Sequence, residues 1–204
     1  MKRKLCILML FFATLTAWAD SPLTSTNFWR IYNTTCDKTT YPLYIVYDNE
    51  GWSPRVMDLL CSTELSVEQR LCLVNYIGWV FEGQNHFSDL LNHYTEKNNY
   101  KGNKGAALKD MKGDMLTVFA YVKAMDNYFE VDDAKYLSSE AVKRSPKSRA
   151  AAMIDALIGA QIAMDSDWAE VYNLCHKVEE NTKLNNDFCD AAIVAIMEYI
   201  DLYK

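Results

Sequence analysis

The stretch "DAKYLSSEAVKRSP", residues 133–146, decides how the rest of the chain is read. Ala134 and Ala141 stand seven apart, so both lie on one face of a helix whose other positions are mostly polar. Small residues on a buried face let a helix approach its neighbours closely. Pro146 follows five residues after Ala141, and proline both ends one helix and suits the first turn of the next. The stretch predicts a short helix held tightly between neighbours, with another helix starting at Ser145-Pro146.

The helical pattern continues on both sides. Upstream, "AALKDMKGDMLTVFAYVKAMDNYFE" predicts a helix to about Phe129, with Gly113 as a weak point or break. Downstream come "PKSRAAAMIDALIGAQIAM" and then "DWAEVYNLCHKVEEN", capped by Ser166, with Trp168, Val171, Tyr172, Cys175 and Val178 along one face. The last helix carries the stripe Phe188, Ala192, Ile196, Tyr199 and Ile200. Earlier, Ser53-Pro54 reads as an N-cap with proline at the first helical position. Ser66 and Gln69 form a capping box for "VEQRLCLVNYIGWVFE", which Gly83 ends. Phe87, Leu90, Leu91 and Tyr94 mark the following helix, and "NNYKGNKG" (98–105) is a loop. Near the start, Phe28, Ile31 and Tyr32 suggest a short helix from about Ser25, and "TTYPLYIVYDNEGW" (39–52) reads as an extended, packed segment.

Long helices thus begin near 66, 106 and 146, and each is followed by a second helix after a short turn. The expected fold is all-α: stacked antiparallel helix pairs, α-solenoid-like or a compact helical bundle, with about seven helices. An irregular bundle with accidental spacing is the competing reading. Residues 20–52 are expected to pack with 53–204 as one unit.

Ala134, Ala141 and Pro146 resemble the second helix of a tetratricopeptide repeat, which carries small alanines seven apart and a proline five further on. The resemblance covers one unit and implies a helix-pair geometry. Aligned on the alanines, the family's first-helix small residue falls on Val122, and its aromatic positions fall on Met125 and Val131. The segment "DSPLTSTNFWRIY" (20–32) is loosely similar to small exported proteins of unknown function from Bacteroidetes-type bacteria. That similarity implies a periplasm and no particular activity.

The first nineteen residues read as a cleaved export signal. Lys2, Arg3 and Lys4 precede the apolar "LCILMLFFATLTAW", and "AWA" ends at Ala19. The bacterial periplasm, or the exterior, is the expected location. No later stretch is long and apolar enough to predict a membrane span. The whole chain carries a formal charge of −6, and loss of the three basic leader residues makes it −9. Such a chain repels phosphate backbones and anionic lipids, so nucleic-acid binding and membrane insertion are not expected. A charged partner is expected to be basic.

Five cysteines follow the leader: 36, 61, 72, 175 and 189. Their spacing fits no metal site. Cys175 and Cys189 lie about the turn at Asn181–Lys183, and Cys61 and Cys72 lie to either side of "STELS". Two disulfides, Cys175–Cys189 and Cys61–Cys72, are therefore expected across helix hairpins, with Cys36 left over. Free cysteine is also a common small core residue, and that reading stands beside the bridges.

Motifs for chemistry are sparse. His86 and His93 are seven apart with Asp89 between them, which fits a polar helix face better than a metal site. Cys175 and His176 are neighbours and point about 100° apart on a helix, so they do not readily pair as a thiol enzyme requires. No G-x-S-x-G, Walker loop or G-x-G-x-x-G occurs, so neither a catalytic set nor a cofactor is assigned. Asp126, Glu130, Asp132 and Asp133 cluster about one helix-to-helix turn with Tyr128. Paired carboxylates beside aromatics suit a glycosidase, but acidic residues also gather at helix starts, where Asp132 or Asp133 would be an N-cap. The cluster is the candidate interaction patch. The leading expectation is a non-enzymatic, exported module that binds a peptide or protein, as a scaffold or an immunity-type inhibitor. A carboxylate-based hydrolase of envelope polymers or glycans and a purely structural helical domain are the alternatives.

Overall fold

Ser53, Ser66, Asn103, Ser148 and Asp167 each accept a hydrogen bond from the backbone amide three residues on, and each fixes where a helix starts. The computed structural model describes residues 21–79 and 85–204. These residues form eleven α-helices. They are α1 (Phe28–Ile31), α2 (Tyr41–Glu50), α3 (Pro54–Cys61), α4 (Val67–Ile77), α5 (His86–Lys97), α6 (Lys104–Asp110), α7 (Gly113–Asp126), α8 (Asp132–Arg144), α9 (Arg149–Ala163), α10 (Trp168–Glu179) and α11 (Asp190–Ile200). A π-turn at Tyr32–Cys36 continues α1. Among the described residues there is no strand, only an isolated bridge between Ser148 and Asn185. The chain is all-α, as expected, with more and shorter helices than the expected seven. Residues 1–19, expected to be an export signal, lie outside the described residues.

Several boundaries differ from the sequence reading. The segment read as extended is helix α2. Pro42 sits in its first turn, and Gly51, at φ 62°, ends it. Its aromatic face drives the choice: Tyr44 stacks on Tyr76 of α4 at 4.5 Å, and Trp29 of α1 meets both rings edge-on. That burial outweighs the strand preference of aromatic and β-branched residues. Helix α4 stops at Ile77, where Gly78 takes φ 76°; Gly83, the expected stop, lies outside the described residues. The expected helix over 106–129 is two helices broken at Met111–Lys112, just before Gly113. Ser148, not Ser145, caps α9, and Pro146 lies in the turn before it.

Helix α7 is the core of the molecule. It is buried at Met115 through Val122 and packs on α4, α5, α8 and α9. A helix apolar on all sides belongs at the centre of a bundle. Helices α7 and α8 form one hairpin and α9 and α10 a second, and α9 packs on both α7 and α8. Ala134 and Ala141 are buried on the inner face of α8. Close approach is also visible at Gly113, where an added Cβ would sit 2.9 Å from the Ala141 carbonyl oxygen and closer still to the Ser145 side chain. The first expected pair does not form such a hairpin: α4 and α5 both lie chiefly on α7. The stack therefore consists of two hairpins, with α3 to α5 packed around it.

Residues 21–52 and α11 lie along the same body. Helix α11 packs on α1, the π-turn and α10. Cys36 is joined by a disulfide to Cys189, with their Cα atoms 6.3 Å apart. This corrects both expected bridges: Cys61, Cys72 and Cys175 are free thiols. Cys61 is the last residue of α3 whereas Cys72 lies well inside α4, so they stand at different levels. Cys189 sits just ahead of α11, at the end of a long irregular turn that carries it away from Cys175 in the core.

Candidate interaction site

The turns of the two stacked hairpins come out at the same end. Between the α7–α8 turn (127–131) and the end of α9 lies a cleft of about 1120 Å³. All five residues of the expected patch line it: Asp126, Tyr128, Glu130, Asp132 and Asp133. The other wall is Gln161, Ile162, Met164 and Asp165, with Lys123 and Ser21 closing the sides.

These residues have different roles. Asp126 is half-buried and structural. Its two carboxylate oxygens accept from the His86 amide at 3.2 Å and the Phe87 amide at 2.7 Å, capping α5 from another helix. Burial pushes its carboxyl above the usual range, and the two amide hydrogen bonds oppose that. Tyr128 is buried, edge-on to Trp79 and tilted against Phe129 at 4.3 Å. Phe129 is 56% exposed and Ile162 38%, so each side of the cleft offers an apolar residue to solvent. Glu130, Asp132, Asp133 and Asp165 are exposed. Asp132 and Asp133 occupy the first turn of α8, where the helix dipole favours them, but neither is the N-cap; that position is Val131. Lys123 lies 3.9 Å from Asp133.

The histidines are engaged elsewhere. His86 stacks on Trp52 at 4.1 Å, and its pKa is lowered by burial. His93 pairs with Asp58 at 2.6 Å. Among the described residues no three metal-binding side chains converge. Burial pushes the Cys175 thiol up to about 12, while His176 turns to Glu179.

No family model, curated protein or solved structure matches this chain. Reading along the chain found one wall and missed the other. The wall at Gln161–Asp165 carries no motif, and its only signal is the forty-residue repeat of long helices, which brings the α9–α10 turn beside the α7–α8 turn. Nothing in the cysteine spacing pointed to Cys189 as the partner of Cys36.

Proposed function

We propose that this is an exported, non-enzymatic interaction module that holds a peptide or a loop of a protein partner in the cleft between its hairpin turns. The observation that carries this reading is the cleft itself. It is open and slightly larger than the roughly 300–1,000 Å³ usual for small-molecule sites, and apolar residues on opposite walls face solvent within an acidic rim. Exposed apolar area with a polar rim is the ordinary composition of a protein-binding patch. The buried thiols of Cys72 and Cys175 and the use of Asp126 as a helix cap support a binding role over a hydrolytic one. The Cys36–Cys189 bridge supports passage through an oxidising compartment. No helix among the described residues is long and apolar enough to cross a membrane.

A photo-crosslinking side chain at Phe129, in protein expressed in its own host, tests the reading. A discrete protein adduct is expected, and Ile162→Glu should abolish it. A crosslinker at Tyr136, an exposed residue on α8 outside the cleft lining, should not trap the same species. Identical adducts from both positions, or turnover of an envelope polymer by the purified protein, would reject the proposal.

A further inference from the structure

The cleft is not electrically balanced. Five carboxylates line it, at Asp126, Glu130, Asp132, Asp133 and Asp165, against one cation, Lys123. Two of these carboxylates are already engaged: Asp126 caps α5 and Asp133 faces Lys123. Among the described residues, Glu130, Asp132 and Asp165 have no cationic group within 4.0 Å. Helices α7 and α9 both end on the cleft, at Asp126 and Ala163, so the negative ends of two helix dipoles point towards it. The dipole at the start of α8 opposes them, and Asp132 and Asp133 offset it. Phe129, beside Glu130, is 56% exposed and can cover the aliphatic stem of a long cationic side chain.

Resting on the cleft as a binding site, we propose that it selects an extended peptide segment bearing lysine or arginine. The cationic head is received by Glu130, Asp132 and Asp165, and neighbouring apolar side chains of the segment cover Phe129 and Ile162. Charge complementarity decides the occupant, since a segment rich in aspartate or glutamate would meet three unneutralised carboxylates.

Three fluorescent peptides of one length test it with the purified, oxidised protein: leucine alternating with arginine, with glutamate and with glutamine. Fluorescence anisotropy should show binding of the arginine peptide alone, weakening as salt rises. The double variant Glu130→Gln/Asp165→Asn should weaken it about tenfold or more, with the melting temperature unchanged. Equal binding of all three peptides, abolished by Phe129→Ala, would overturn the charge selection and leave the cleft as a binding site. No binding of any peptide would overturn both. A dimer in sedimentation that dissolves in the double variant would assign the cleft to a second copy and likewise overturn the proposal.

Discussion

Helices α7 to α10 meet through small residues, whereas the N-terminal segment and α11 are joined to the body through aromatic packing, specific hydrogen bonds and a disulfide. In the hairpin stack, Ala134, Ala141 and Gly113 let α7 and α8 approach closely, Gly159 makes room for the Leu174 side chain, and the contacts are local in sequence. In the closure the links are long-range, and the polar ones are specific. Asn75 is buried and fully used: it accepts from the Trp29 amide at 3.1 Å and donates to the Thr26 carbonyl and the Tyr121 hydroxyl. Glu68 accepts from the Tyr32 hydroxyl and from the Cys189 amide, beside the Cys36–Cys189 bridge. The difference teaches where each region is vulnerable. The stack fails when volume is added, and the closure fails when a specific partner is removed.

Removing the disulfide should have the largest effect. It spans 153 residues, and closing so long a loop restricts the unfolded chain by about 4–5 kcal/mol. Cys36→Ala/Cys189→Ala should lower the urea midpoint by a corresponding amount. Hydrogen exchange should quicken in α1 and α11 while α7 stays protected. Alkylation of the unfolded, unreduced protein should modify Cys61, Cys72 and Cys175 and spare Cys36 and Cys189. Uniform loss of protection across all helices would erase the distinction between the two regions.

The stack is probed by one methyl group. Gly113→Ala places a Cβ against the Ala141 carbonyl and the Ser145 side chain, and overpacking of this kind costs about 1–3 kcal/mol. Gly105→Ala in α6 is the control, because its nearest neighbour would be the Asn103 side-chain oxygen at 3.7 Å, an ordinary contact. There the loss of unfolded-state freedom should leave stability equal or raised by up to about 1 kcal/mol. Equal chemical-denaturation midpoints for the two variants would show that close backbone approach does not hold α7 against α8.

These regions also differ in how legibly the sequence carries them. Local rules read the stack well: the alanine spacing located α8 and its buried face, and Gly113 marked the break before α7. They read the closure poorly. Nothing local at Cys36 or Cys189 points to the other, and the hairpin symmetry that suggested Cys175–Cys189 and Cys61–Cys72 ignored where helices end. Helix α2 was misread because its aromatic residues favour strands until Tyr76 and Trp29 are placed against them. One wall of the cleft was legible as an acidic turn with aromatics, while Gln161 to Asp165 reach it only through tertiary stacking. Asp126 illustrates the limit within a single residue: its type suggested chemistry or binding, and its position makes it a cap for α5.

The smallest effect expected is a slope in pH. Burial raises the Glu68 carboxyl above its usual value, while its hydrogen bonds from Tyr32 and Cys189 pull the other way. A carboxyl raised in the folded state binds its proton more tightly there than in the unfolded chain. The stability tied to that proton is complete below the unfolded value and is lost as pH rises through the folded one. Glu68→Gln stays neutral throughout and keeps a side-chain oxygen for the Cys189 amide. Its urea midpoint should therefore fall less than that of the native protein as pH rises above the ordinary glutamate value. Asp126 shifts in the same direction, so Asp126→Asn should also flatten the slope, acting through α5 instead of the closure. His86 works against both: its pKa is lowered by burial, so its contribution is lost as pH falls below the ordinary histidine value, and this partly masks the carboxylates in the native curve. Parallel curves for Glu68→Gln and the native protein would mean that Glu68 titrates as it does in the unfolded chain, and that the polar link between α4 and α11 is open to water.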